Sequence, residues 1–198
     1  MLSMLLDTSS DTLLISFIEE DNHPKKELTR RTLQGRRTHA EQLVPLIQDA
    51  LKECSLEVKD FDRIVCGIGP GSYTGLRVSL AVAKMFSWTL NIPLFTVSSL
   101  DIIASAYFKE AGTYIIKEKA KTDWVYAKVV KSDGQSLTIL EKDSFLTTAD
   151  YDQLASQYPD AHLITDGQWA FDGTFALAQT EVTDIHNCVP EYLREQVI

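Results

Sequence analysis

Cysteine is scarce and unpaired in this sequence. Of 198 residues only Cys54, Cys66 and Cys188 carry thiols, and no two of them form a CxxC pair. An odd, scattered set in apolar or helical surroundings argues against a disulfide framework and offers no seed for a structural zinc site. Histidine is equally thin. His23, His39, His162 and His186 stand alone, so no pair at i, i+3 or i, i+4 spacing exists to grip zinc or iron. No run approaches the roughly 18 apolar residues of a membrane-crossing helix. Met1 leads directly into a strand pattern without a basic leader or cleavage site, so the cytoplasm is the expected location and no membrane association is expected. Basic charge is also short, with 19 Lys plus Arg against 28 Asp plus Glu. The deficit is uneven: residues 1–100 hold 11 basic and 12 acidic side chains, residues 101–198 hold 8 and 16. Such a surface repels phosphate backbones, so any role in RNA chemistry needs a partner to hold the RNA.

Against this background, glycine is concentrated where it is present. Gly67, Gly69, Gly71 and Gly75 fall within nine residues, where an apolar strand runs into a turn that opens a long helix. Glycine permits positive φ and close backbone approach, so the cluster signals demanding geometry. An anion on the helix N-terminus, a partner pressed against the loop, or a tight corner could each require it.

Around this corner the hydrophobic pattern predicts a mixed α/β protein. Residues 2–6, 12–18 and 26–33 read as strands, the last stopped by Gln34-Gly35-Arg36-Arg37. Thr38 and Glu41 have capping-box spacing, and Ala40, Leu43, Ile47, Ala50, Leu51 and Cys54 form one helical stripe that Val44 and Leu46 widen. Residues 63–68 are a strand, 74–90 a helix apolar nearly all round, 93–97 a strand, and Ser98 to Asp101 opens another helix. The second half restarts the alternation, with strand patterns at 114–116, 124–130, 137–145 and 161–165, a helix at 150–157, and a helix or irregular segment at 171–179. Two lobes are expected, residues 1–110 and a smaller 111–198, without a sequence repeat between them.

The chemistry these residues support is limited. The glycine turn lacks the Lys-Ser/Thr of a P-loop, and Gly69, Gly71 and Gly75 match GxGxxG only in a degenerate sense. Ser72 is followed by Thr74 where a nucleophile elbow needs glycine. His39, at a helix start, reads as an exposed or capping side chain more readily than as a ligand. Asp7-Thr8-Ser9-Ser10 ends a strand in the manner of a first phosphate loop of the actin and sugar-kinase superfamily, without the glycine such a loop needs. The region of a second loop, Glu118 to Trp124, has no glycine either. Asp7, Thr8 and Ser9 therefore read as a degenerate phosphate loop, and no cofactor is expected. A kinase or ATPase using Asp7 remains the alternative.

Four segments, Leu5-Leu6-Asp7-Thr8-Ser9, His39 to Pro45, Gly69 to Arg77, and Pro190-Glu191-Tyr192-Leu193-Arg194, together resemble the bacterial TsaB (YeaZ) family. The match spans both ends of the chain. The resemblance implies a two-lobed actin-like (ribonuclease H-like) fold with a shortened second lobe. It also implies a non-catalytic role in forming threonylcarbamoyladenosine on tRNA, beside a TsaD-type transferase and a TsaE-type ATPase. In isolation a homodimer is expected, and tRNA is reached only through the complex. The implied partner interface is helical, with His39, Leu43, Ile47 and Leu51 on the first helix and Leu76, Leu80 and Ala83 on the second. Gly71, Ser72, Thr74 and Arg77 join them at the turn.

Overall fold

In the computed structural model the described residues are 1–20, 25–35, 38–175 and 177–193. His23, Arg36 and Arg37 of the polar stop, and Arg194 of the closing motif lie outside them. Cα proximity divides the chain into two units, Met1–Ser99 with Gln179–Glu191, and Leu100–Ala178 with Tyr192–Ile198. The boundary expected near residue 110 therefore falls at Ser99/Leu100. The reason is packing: Leu100, Ile103 and Ala104 are buried with Tyr114 and Ile116 of the second unit.

The first unit is built on a six-stranded sheet. Its strands are β1 (Leu2–Asp7), β2 (Thr12–Glu19), β3 (Lys26–Gln34), β4 (Arg63–Gly67), β5 (Leu94–Val97) and β10 (Thr180–Glu181), in the order β10-β5-β4-β1-β2-β3. β1, β4 and β5 run parallel, and β2 and β3 extend the sheet antiparallel. An antiparallel hairpin start followed by parallel strands with helical cover is the actin-like arrangement expected. Strand alternation places Met4 and Leu6, Leu13, Ile15 and Phe17, and Ile64 and Cys66 in one core cluster. Two helices from the same side complete that core, α1 (His39–Cys54) through Leu43, Ile47 and Ala50 and α2 (Tyr73–Leu90) through Leu80 and Ala83. β10 was not legible in the sequence: two residues returning from the far end of the chain pair with Phe95 and Thr96.

The capping box expected at Thr38 is absent. Thr38 has an αR backbone (φ −106°, ψ −5°) and makes no side-chain cap. Its hydroxyl donates instead to the Gly35 carbonyl at 3.1 Å, because a cap requires an extended residue that aims its oxygen into the helix. Ala40, expected on the buried stripe, is exposed.

In the second unit β6 (Gly112–Lys121), β7 (Trp124–Ser132) and β8 (Leu137–Thr147) form an antiparallel meander, and β9 (His162–Ile164) joins β6 in parallel. β6 outruns its expected span, since the charged run after Ile116 masked a strand that continues to Lys121. α4 (Thr148–Ser156) lies over one face, where Tyr151 packs with Ile115, Val125, Ala127 and Val129. α3 (Ser99–Ala104) contributes Leu100, Ile103 and Ala104 to the other. Residues 171–179 contain no helix among those described. A lysine is buried in this unit. Lys128, 2% exposed, places Nζ 2.6 Å from Asp101 Oδ2 and 3.1 Å from Asp143 Oδ2.

Candidate partner interface

The glycine corner and the Asp7 loop form one structure. Asp7, 1% exposed at the end of β1, accepts from the Ser9 backbone N–H (2.9 Å), the Ser9 hydroxyl (2.6 Å) and the Ser99 hydroxyl (2.6 Å). Burial outweighs these bonds and the pull of nearby His39, and holds the Asp7 carboxyl above its ordinary range. Ser99 in turn accepts from the Gly69 N–H at 3.0 Å. The Ser72 N–H donates to the Ser9 carbonyl at 2.6 Å. Thr8 reaches furthest, its hydroxyl donating to the Gly75 carbonyl (2.6 Å) and accepting from the Ser79 N–H (3.2 Å). It thus inserts between two α2 groups that an α-helix ordinarily joins directly.

This contact explains the glycines better than an anion or a partner does. A Cβ on Gly75 would stand 1.9 Å from the Thr8 carbonyl oxygen, and one on Gly71 would stand 2.5 Å from that of Ser9. Ser72 is the N-cap of α2, accepting from the Gly75 N–H at 3.3 Å. The closing motif meets the same corner, since the Glu191 N–H donates to the Ile68 carbonyl at 2.8 Å. Thr8 and Ser9 therefore engage the α2 corner directly, while the Asp7 carboxylate is held by Ser9 and Ser99. Among the described residues no cluster of three His, Cys, Asp or Glu could hold a metal ion.

The helix residues named from the sequence as partner contacts do not all face outward. Leu43, Ile47, Leu76, Leu80 and Ala83 are at most 3% exposed and belong to the unit's own interior. His39, expected at the surface, is 2% exposed, and its Nε2 has no hydrogen-bond partner among the described residues. Leu51 is half-buried. Gly71 and Ser72 are engaged at the Ser9 corner, as above. Thr74 and Arg77 are exposed, with Arg77 Nη1 donating to the Tyr73 hydroxyl at 2.8 Å.

The outward face of α2 carries Thr74, Arg77, Ala81, Met85 and Trp88, spaced 3, 4, 4 and 3 along the helix. Val44 and Ala40 are exposed on the neighbouring α1. Trp88 is 59% exposed and Met85 47%, and α1 and α2 together supply five of the twelve large exposed hydrophobic residues among those described. The stripe expected to meet a partner lies in the unit's interior, and the pattern could not show this because α2 is apolar on both sides. The available signal was the ladder Gly75, Ser79, Ala83 and Ser87 at i, i+4 spacing. Small side chains let a helix lie close on its sheet, which leaves the bulky Met85 and Trp88 for the outside.

The family described as TsaD, tRNA N6-adenosine threonylcarbamoyltransferase, matches residues 33–188. A Bacillus subtilis (strain 168) protein called tRNA threonylcarbamoyladenosine biosynthesis protein TsaB is 27% identical over 96% of this chain and 93% of its own. The Haemophilus influenzae protein of the same name is 27% identical over 67% of this chain, which spans only 56% of that relative. Among solved structures, YeaZ from Pseudomonas aeruginosa is 26% identical with a TM-score of 0.66, covering 74% of this chain and 67% of that one. A further structure, described as an uncharacterized protein with similarity to peptidase YEAZ from Pseudomonas aeruginosa, superposes over 98% of this chain and 99% of its own. Its TM-score of 0.73 at 21% identity shows the shared fold.

Proposed function

The chain belongs to the TsaB (YeaZ) family, within the wider threonylcarbamoyltransferase family, and from that premise we propose that it serves tRNA threonylcarbamoyladenosine biosynthesis as a non-catalytic partner subunit. It docks a TsaD-type transferase through the outward face of α1 and α2, and the resulting pair recruits a TsaE-type ATPase. The observation that carries this reading is the exposure of Met85 and Trp88 together on the outward stripe of α2, with Val44 exposed on α1, since large apolar side chains grouped on the surface of a folded protein mark an interaction site. Without the transferase, the same face pairs two copies of the chain.

The non-catalytic role is supported by the Asp7 loop, whose carboxylate is occupied by Ser9 and Ser99. The 16 acidic residues of the second half leave tRNA to be held by the partner, and a tRNA-modifying assembly works in the cytoplasm. No helix among the described residues is long and apolar enough to cross a membrane.

Reconstitution tests the reading. Modification of tRNA by TsaD, TsaE and the threonylcarbamoyl-adenylate synthase should require this chain. Ala81→Glu with Met85→Glu should weaken association with TsaD by about thirtyfold or more, the scale of losing one interface hot spot, while leaving the melting temperature unchanged. Full modification without the chain, or unimpaired association of the double variant, would refute it. Turnover of ATP by the chain alone, abolished by Asp7→Ala, would favour the kinase alternative.

A further inference from the structure

A cavity of about 340 Å³ opens in the second unit, where the ends of β6 and β9 meet the start of α4. Lys117, Lys119 and Lys121 from alternate positions of β6 line it, with Trp124, Asp123 and Asp166. Alternation turns the three lysines to the face that α4 covers, about 7 Å apart along the strand, with a register shift between Lys119 and Lys121.

Their charge exceeds that of the carboxylates beside them. Ion pairs in this unit join Lys109 to Asp172 and Lys128 to Asp101 and Asp143, and none among the described residues involves Lys117, Lys119 or Lys121. Two of the ammonium groups sit over neutral rings instead. Lys117 Nζ is 4.0 Å from the Tyr151 ring centroid, and Lys121 Nζ is 5.0 Å from that of Trp124. Such contacts orient an ammonium without cancelling its charge. The same lining holds two carboxylates, Asp123 and Asp166, neither of them in an ion pair with the three lysines among the described residues. Asp166 accepts from the Lys119 backbone N–H at 3.2 and 3.3 Å.

The geometry points to a binding site for a small oligophosphate-bearing anion, held by the Lys117, Lys119 and Lys121 ammonium groups at the ends of β6 and β9. Three cations against two carboxylates leave the concavity positive, and a ligand with several anionic oxygens can meet each ammonium separately. Lysine without arginine suits phosphate as a point-charge acceptor better than a bidentate carboxylate. The absence of glycine from Glu118 to Trp124 means that side chains, and not backbone amides, do the holding. The volume lies at the small-ligand end of known sites, and the acidic surroundings disfavour a long nucleic-acid backbone. This site belongs to the second unit and does not depend on the proposed pairing.

Titration of the full chain with inorganic tripolyphosphate tests it, by calorimetry and by amide chemical shifts. One saturable event is expected, weakened by salt, with shifts centred on residues 117–124 and 165–166. Lys119→Gln with Lys121→Gln should weaken binding by about tenfold per lysine, as for loss of charge-assisted hydrogen bonds. Lys119→Arg with Lys121→Arg should retain most of it, and Lys59→Gln, on the other unit, should change nothing. Absence of saturation, shifts centred elsewhere, or unchanged affinity in the glutamine variant would overturn the proposal. So would tighter binding of a ten-nucleotide single-stranded RNA than of tripolyphosphate at equal salt, which would indicate a nucleic-acid surface.

Discussion

Replacing Lys128 by methionine is expected to destabilise the second unit by about 3–5 kcal/mol, the scale for removing one partner of a buried ion pair. Lys128 is 2% exposed and is shared by Asp101 at 2.6 Å and Asp143 at 3.1 Å. Methionine keeps the length of the side chain and removes its charge. Asp101 already lacks a hydrogen-bond partner for Oδ1 among the described residues. Without the ammonium, its carboxylate would be left in a site where burial opposes the charge.

The pH dependence follows from the same group. Burial raises the Asp101 carboxyl from 3.8 to about 6, and the attraction of Lys128 lowers it by less than burial raises it. Between those values the folded chain binds more protons than the unfolded chain, so this carboxyl's contribution to stability falls as pH rises through the window. Loss of Lys128 raises the folded pKa further. The Lys128→Met variant should therefore recover part of its loss at about pH 5 relative to about pH 8, more than the parent gains over the same interval. Hydrogen exchange of the β6 and β7 amides in urea reads the second unit directly. A loss below about 1 kcal/mol at neutral pH would show that the pair contributes no more than a surface ion pair.

Gly75→Ala should cost about 3 kcal/mol or more, at the upper end of overpacking penalties, because the obstacle is backbone. The new Cβ would meet the Thr8 carbonyl oxygen at 1.9 Å and its carbon at 3.0 Å. Relief requires α2 to lift away from the β1–β2 turn, which also breaks the Thr8 hydroxyl bonds to Gly75 and Ser79. Thr8→Val should be far milder, about 1 kcal/mol, since the Gly75 carbonyl and the Ser79 N–H can then bond to each other as in an uninterrupted helix. The double variant should be no more stable than Gly75→Ala alone, because valine leaves the Thr8 carbonyl where it was. Rescue by Thr8→Val in urea denaturation would show that the side chain, and not the backbone, sets the spacing.

The sequence by itself determined the order of the strands from β1 to β9 and of the helices between them, the extended and helical periods, and the family, through four short motifs. These signals are local: an alternating run or a capped stripe is complete within a window of about ten residues. It also marked the glycine corner as special, without showing why. The partner of Gly75 is Thr8, 67 residues away, and only the parallel pairing of β1 with β4 brings them together. The tertiary structure alone decided which stripe of α2 lies on the sheet, because both stripes are apolar and periodicity cannot choose between them. Burial assigned Leu76, Leu80 and Ala83 to the interior and left Met85 and Trp88 outside. The return of the chain at Gln179, the small β10 and the lodging of Lys128 between two aspartates likewise depend on which distant segments the sheets make neighbours.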